Sequence, residues 1–238
     1  MIVADSPGTT RDSISVQVIR GEAEFTLTDT AGVRRKSRTK ETIEKYSIVK
    51  TLQAIADCNV AILMLDAKHG LVEQDKTIAG LAIQYGKSIV LALNKWDGLD
   101  TYRKKQLGRD LVRHYSFLPK HQIIRISALY RSNIYKVLDA GYVAYNSAIK
   151  SLSTSQLNKT LAAATSQHPP QRIGTRSIQL KYAHQGGKNP PIIVIHGNLV
   201  DRLSPGYRRY LANYFGRAFN LIGTPIQIET RASRNPYK

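Results

Sequence analysis

A chain of 238 residues with 42% apolar and 22% charged side chains has ordinary globular composition and room for one large domain or two modest ones. Its apolar runs, AILML, SIVLAL and IIVIHG, fall far short of the roughly 20 residues that cross a bilayer, and nothing near Met1 has the basic-then-apolar form of a signal peptide. The single cysteine, Cys58, excludes an internal disulfide and a multi-thiolate metal site. In the apolar setting IADCNVAI it is expected to be a buried structural thiol, in keeping with a reducing, cytoplasmic compartment.

Charge is more informative. The chain holds 35 Lys and Arg against 17 Asp and Glu, a balance of +18. Residues 151–238 carry 12 basic and 2 acidic side chains, or +10, against 23 and 15 before them, or +8. A small domain with that excess attracts a polyanion, because association with phosphates releases counterions. RNA is the first expectation, although DNA and an anionic membrane satisfy the same charge.

In chain order, VQVI and EFTLTDT alternate at period two about Arg20-Gly21, which predicts a hairpin. Between Thr39 and Ala56, Ile48, Leu52 and Ile55 fall at helical spacing. NVAILMLDA and SIVLALNKWD are continuous apolar runs, the pattern of parallel strands buried on both faces. Residues 74–85 read as a helix with Ile78, Leu81, Ala82 and Tyr85 on one face and Gly86 as its stop. A helix over 102–116, a strand HQIIRISA and a helix over 133–152 complete an alternating series. The pattern is that of a doubly wound α/β fold, whose ligands lie at the carboxyl ends of the strands.

SLSTSQLNKTLAAATSQHPPQRIG then turns small, polar and proline-bearing, and is read as a linker with a short helix capped by Ser155. The division falls between residues 1–152 and 153–238. Beyond it, RSIQLKYAHQ alternates, GGKNPP turns, IIVIHG returns, 204–219 is helical and PIQIETR closes as a strand. A small α+β domain with helix-strand-strand-helix-strand order and this much charge is a plausible RNA platform.

Three motifs carry chemistry. Asn94-Lys95-Trp96-Asp97 follows the strand SIVLAL. A carboxylate there can accept both the ring N–H and the exocyclic amine of guanine, a donor pair that adenine lacks. The asparagine can reach the other edge of the base, and the lysine stem can pack on the ring. Asp29-Thr30-Ala31-Gly32 ends an earlier strand, where an aspartate can hold magnesium through water and a glycine lets its N–H approach a γ-phosphate. Ser127-Ala128 ends the strand before the last helix of the series, where small residues let backbone amides approach a base. With Thr9 and Thr10 upstream, these stretches have the order of a guanine-nucleotide switch.

PGTTRD, DTAGVRRK, NKWD and ISA resemble the Era and TrmE-like branch of translation-associated GTPases, most closely the second G domain of the double-Era-like Der (EngA) family. SPGYRRYLANYF and LIGTPIQIETRASRNPY resemble that family's C-terminal KH-like domain. The resemblance implies a Ras-like, P-loop-type G domain followed by a KH-like domain, with GTP or GDP and Mg²⁺ as ligands. It implies the 50S ribosomal subunit and its rRNA as partners. Thr10, with Thr9 beside it, would ligate magnesium; Asp29 would hold the metal's water and Gly32 the γ-phosphate. Asn94, Lys95 and Asp97 would read guanine, helped by Ser127 and Ala128. Val33 stands where many small GTPases keep a glutamine to orient water. In this branch K⁺ takes part instead, held partly by a phosphate-loop asparagine that the chain does not contain, and no catalytic residue is identified.

No stretch has the form G-x-x-x-x-G-K-[S/T]. Relative to the family, the first strand, the phosphate loop and the following helix precede Met1, which is expected to be an internal methionine. Without that central strand, its two neighbours lose ladder partners, which favours association through exposed sheet edges. GNLVD lacks the second glycine of a KH clamp. Docking on structured rRNA is therefore expected through Lys181, Arg208, Arg209 and Arg217, with most of Tyr207, Tyr210 and Tyr214 packing in a core. The alternative reading is a non-catalytic rRNA-binding remnant that uses only its basic C-terminal domain.

Overall fold

The structure, a computed structural model, describes residues 14–29, 52–119 and 121–232. They belong to two units, one within residues 1–58 and one within 59–238.

In the first unit, β1 (Ile14–Arg20) pairs antiparallel with β2 (Ala23–Asp29) in a register that sets Val18 against Phe25 and Arg20 against Ala23. The turn is Gly21-Glu22, one residue later than predicted, and Gly21 takes a φ of +60° that a two-residue hairpin turn requires. Residues 52–57 form the helix α1, with Ile55 buried. Cys58 is half-buried, not buried as expected. It follows the last helical turn, where its amide donates to Ala54 O and its thiol to Ile55 O at 3.4 Å, so it serves the helix end.

The second unit contains two three-stranded sheets and a short two-stranded ribbon. In the first, β3 (Val60–Asp66), β4 (Ser88–Asn94) and β5 (Ile123–Arg125) are parallel in the order β3-β4-β5. Ser88 to Leu93 are all buried, as the apolar run predicted. β3 departs from that prediction: Leu63 and Leu65 are buried, but Ile62 and Met64 are exposed. Those two share a face with Val90 and Ala92 of β4, and α4 (Ile134–Ile149) covers that face mainly over β4. Val137, Ala140 and Ala144, spaced three and four apart, supply the helix side of this contact. α2 (Glu73–Gln84) packs on β3 and β4 through Ala79 and Ala82, and Tyr85 lies exposed past its end. α3 (Thr101–His114) starts at Asp100, whose carboxylate accepts from Arg103 N at 2.7 Å.

The supposed linker is a structural element. α5 (Thr154–Gln167) begins after Ser153, not Ser155, and runs 14 residues. Leu157, Leu161 and Ala164 recur at i, i+4 and i+7 and are buried, so the small residues around them are one face of a packed helix. A short ribbon, β6 (Arg172–Ile173) and β7 (Arg176–Ser177), leads into β8 (Gln179–Gly187), β9 (Ile192–Asn198), α6 (Pro205–Ala218) and β10 (Gln227–Ala232). β9 is central, antiparallel to β8 and parallel to β10. α5 and α6 cover one face of this sheet around Ala183, Ile193, Ile195, Leu211 and Phe215. Ser204 Oγ accepts from Tyr207 N at 3.2 Å and caps α6, with Pro205 at its first position.

The two sheets meet at the amino end of β4. Ile89 N donates to Gly223 O at 2.6 Å, Ile222 N donates to Ser147 Oγ at 3.1 Å, and Lys150 Nζ donates to Phe219 O at 3.0 Å. Gly223 has φ +71°, and a Cβ there would lie 2.9 Å from Ala144 Cβ and 3.0 Å from Ile89 O, so only glycine fits the joint without displacement.

If α5 is core and not linker, Leu161→Ala leaves a cavity in the second sheet's core and lowers unfolding free energy by about 2–5 kcal/mol. Chemical denaturation reads this out, and a loss under about 0.5 kcal/mol, typical of an exposed position, would contradict it.

Candidate functional site

β4 ends at Asn94, which lies opposite Asp66 of β3. The chain then turns sharply: Lys95 takes a left-handed φ of +62°, and Trp96–Gly98 form one 3-10 turn. Left-handed backbone costs a side-chain-bearing residue roughly 1–2 kcal/mol. Bonds on both sides offset it. Asn94 Oδ1 accepts from Lys95 N at 2.8 Å and from Ala128 N at 2.9 Å, while Trp96 N donates to Ile126 O at 3.2 Å. The loop after β4 is thereby stapled to the loop after β5, across 34 residues of sequence. Ser127 is buried and exchanges backbone bonds with Ser132 at 3.2 and 3.0 Å, and its Oγ accepts from Tyr130 N at 3.3 Å. Asn94, Lys95, Trp96, Asp97, Ser127 and Ala128 thus lie on two adjoining loops.

Asp97 is exposed in the 3-10 turn, and its carboxylate has no partner among the described residues. Such a group is available to a pair of donors on a planar ligand. Trp96 is half-buried, with the Arg125 guanidinium 5.0 Å and the Lys104 ammonium 5.8 Å from its ring centre. These cations fix the indole beside the motif.

Lys95 has a partner that sequence reasoning missed. Its Nζ lies 2.7 Å from Asp66 Oδ2, and His69 Nδ1 lies 3.0 Å from the same oxygen. Asp66 Oδ1 accepts from Lys68 N at 2.9 Å and His69 N at 3.3 Å. Burial pushes the Asp66 carboxyl up, but the bonds from Lys95, His69 and the two amides outweigh it and hold the group well below the usual carboxylate range. A carboxylate closing an apolar strand next to the strand that ends in Asn94 was the available signal.

The phosphate-side candidates are placed less fully. Asp29 ends β2 in the first unit and is exposed. Thr9, Thr10, Thr30, Ala31, Gly32 and Val33 lie outside the described residues. Among the described residues no three His, Cys, Asp or Glu side chains gather as metal ligands. A lone exposed carboxylate does not by itself fit magnesium.

Of the basic candidates, Lys181, Arg209 and Arg217 are exposed. Arg208 is turned inward: its guanidinium donates to Thr230 Oγ1 at 3.0 Å and to the carbonyls of Leu203 and Ile228 at 3.4 Å, tying α6 to β10. Tyr207 OH donates to His168 O at 2.6 Å and Tyr210 OH to Ala164 O at 2.9 Å, so both brace α5 against α6. Burial, with the neighbouring Tyr210, pushes the Tyr207 hydroxyl up to about 12. Tyr214 packs on the same core. At the GNLVD turn, a Cβ on Gly197 would collide with the Gln179 carbonyl, and an open polar pocket of about 540 Å³ lies between Arg176, Gln179 and Asn198.

Folding lowers the pKa of Asp66, so its contribution to stability is complete above the unfolded value near pH 4 and is lost as pH falls towards the lower folded value. The melting-temperature difference between the wild type and Asp66→Asn is therefore expected to be constant from pH 7 to about 5 and to shrink below about pH 4. A difference independent of pH down to acid unfolding would refute this.

Residues 1–95 match the family model described as 50S ribosome-binding GTPase, and residues 151–231 match the KH-domain-like of EngA bacterial GTPase enzymes, C-terminal. The GTPase Der of Psychromonas ingrahamii is 45% identical over 237 residues, covering 100% of this chain and 48% of that protein. The GTPase Der of Halorhodospira halophila is 48% identical over 237 residues, covering 100% of this chain and 50% of that protein. The chain thus spans about half the length of the curated relatives it matches. Among solved structures, Aquifex aeolicus Era bound to GDP·AlF4⁻ aligns with a TM-score of 0.51 at 18% identity, over 97% of this chain and 84% of that one. An Era complex with MgGDPNP and nucleotides 1506–1542 of 16S ribosomal RNA gives 0.51 at 15%, over 98% and 85%. The fold is that of a Ras-like α/β domain followed by a KH-like α+β domain. The chain belongs to the Der (EngA) family of GTPases.

Proposed function

We propose that this chain recognises guanine nucleotide through Asn94, Lys95, Asp97, Ser127 and Ala128, and that residues 153–238 dock on rRNA of the large ribosomal subunit. The observation that carries the first part is the shared acceptor Asn94 Oδ1, which joins Lys95 N to Ala128 N and so holds the two motif-bearing loops together. Asp97, exposed beside it, accepts the N1–H and the exocyclic amine of guanine; adenine offers no such pair. Asn94 keeps its Nδ2 donors for the imidazole edge of the base, and the Lys95 stem lies along the ring with its ammonium on Asp66. The relatives' name, GTPase, and the nucleotide in both Era structures support this reading. The RNA part is supported by the excess of 12 basic over 2 acidic side chains in residues 151–238, by the description of the matched GTPase family as 50S ribosome-binding, and by the RNA in one Era complex. Thr9, Thr10, Asp29, Thr30, Ala31 and Gly32, with Thr10 and Asp29 as candidates for Mg²⁺ and K⁺ for the intact family member, enter this proposal through the family resemblance alone.

The base contacts work here without a G-x-x-x-x-G-K-[S/T] stretch. Each charge-assisted phosphate contact that such a loop makes is worth roughly 1.5–3 kcal/mol. Losing two of them weakens binding by about two to four decades.

Calorimetric titration of the chain with GDP is expected to give a Kd in the micromolar range or weaker, with ADP weaker still. Nanomolar GDP binding would refute the phosphate argument, and equal affinity for GDP and ADP would refute base recognition. Asp97→Asn replaces two acceptors by an acceptor and a donor, so preference should move from GDP to xanthosine diphosphate, whose ring carries a carbonyl in place of the amine.

A further inference from the structure

One face of the second sheet carries rings and charged side chains, set around a buried Val194, that neither the α5–α6 core nor the nucleotide site uses. Ala183, Ile193, Ile195 and Ile228 face α5 and α6. Strand alternation puts Tyr182, His184, Val194, His196, Glu229 and Arg231 on the opposite face. The register aligns Tyr182 of β8, His196 of β9 and Arg231 of β10 in one cross-strand row, with His184, Val194 and Glu229 in the next. The rings touch: Tyr182 lies 5.9 Å from both His184 and His196, and the two imidazoles stack at 5.2 Å and 27°. Tyr182 is 45% exposed, and the Arg231 side chain is 63% exposed. Lys181, the extra residue of a bulge between Leu180 and Tyr182, is exposed beside the row. His184 Nδ1 is buried with no hydrogen-bond partner among the described residues.

We propose that this face is a stacking platform for single-stranded RNA. A base lies on the Tyr182 and His196 rings, and Arg231 and Lys181 take the flanking phosphates. The proposal rests on the RNA reading above and adds to it the part of the nucleic acid bound and where. Charge selects the occupant. The face offers one exposed apolar group, the Tyr182 ring, beside Lys181 and Arg231, with Glu229 as its one carboxylate, 4.0 Å from the Arg231 guanidinium, in a region of +10. That is too little apolar area for a protein interface, and it suits exposed bases joined by phosphates.

The test is fluorescence anisotropy of the full chain at low salt, with a short fluorescein-labelled oligoadenylate and with its duplex with oligouridylate. The single strand should bind more tightly than the duplex. Tyr182→Ala and His196→Ala should each weaken single-strand binding by about tenfold, and Tyr182→Phe, which keeps the ring, by less than about twofold. Arg231→Gln should lower the slope of log affinity against log salt by about one. If Tyr182→Ala fails to fold, His196→Ala and Arg231→Gln carry the test. Wild-type affinity in the folded ring variants would overturn the platform and leave the RNA reading standing, with a protein then the better occupant of this face. Equal affinity for the duplex would likewise overturn the platform alone. A wild-type chain that binds neither probe would overturn both.

Discussion

β4 is the strand on which the second unit depends, because it is buried along its length and exposed to function only at its ends. Ile89, Val90, Leu91 and Leu93 each gain about 1.5–3 kcal/mol from leaving water, enough to fix the strand against α4 on one face and, on the other, beside its cross-strand neighbours Leu63 and Leu65. At the amino end, Ile89 N is claimed by Gly223, so the loop after α6 is held by the same strand. At the carboxyl end, Asn94 holds the loop that carries Ala128. A shift of β4 by one residue would turn its buried side chains over and break both contacts together.

The Asp66–Lys95 pair is better understood as placement than as stability. Lys95 is half exposed, so solvent screens much of its attraction to Asp66, and exposed pairs contribute little to folding. Asp66 itself is mostly covered and is satisfied by two backbone amides and His69 besides Lys95. The carboxylate is fixed by the backbone first and the lysine is fixed by the carboxylate. That order matters for a ligand site: the ammonium is parked on the neighbouring strand, and the four-carbon stem is left to cover a planar ring.

The sequence revealed elements that announce themselves by apolar pattern or by position at a strand end. β4 was legible because six successive residues are apolar or small, and the meeting of Asn94 with Ala128 because each motif closes a parallel strand. α5 was hidden because Leu157, Leu161 and Ala164 stand among Ser, Thr, Asn and Ala, whose polarity reads as linker until their spacing is counted. Asp66 was hidden inside a strand run, where a terminal carboxylate looks like a turn residue. Arg208 was misread for the opposite reason: a charged side chain on a helix suggests surface, yet three carbonyls and a hydroxyl near the β10 edge take up its guanidinium. Ile62 and Met64 follow from topology, since how far α4 extends over β3 is written in no local pattern.

The inward turn of Arg208 also changes what the basic balance means. Arg209 and Arg217 project from α6, which packs on one face of the β8–β9–β10 sheet, whereas Tyr182, His196 and Arg231 occupy the other. No straight strand of nucleic acid reaches both sets, because the sheet and its helix layer lie between them. In the proposed RNA reading, the cations on α6 would meet the phosphates of a folded RNA that curves round the sheet edge, and the ring-bearing face a segment of that RNA whose bases are unpaired. Counting charge alone makes these surfaces equivalent; strand register and helix packing make them chemically different.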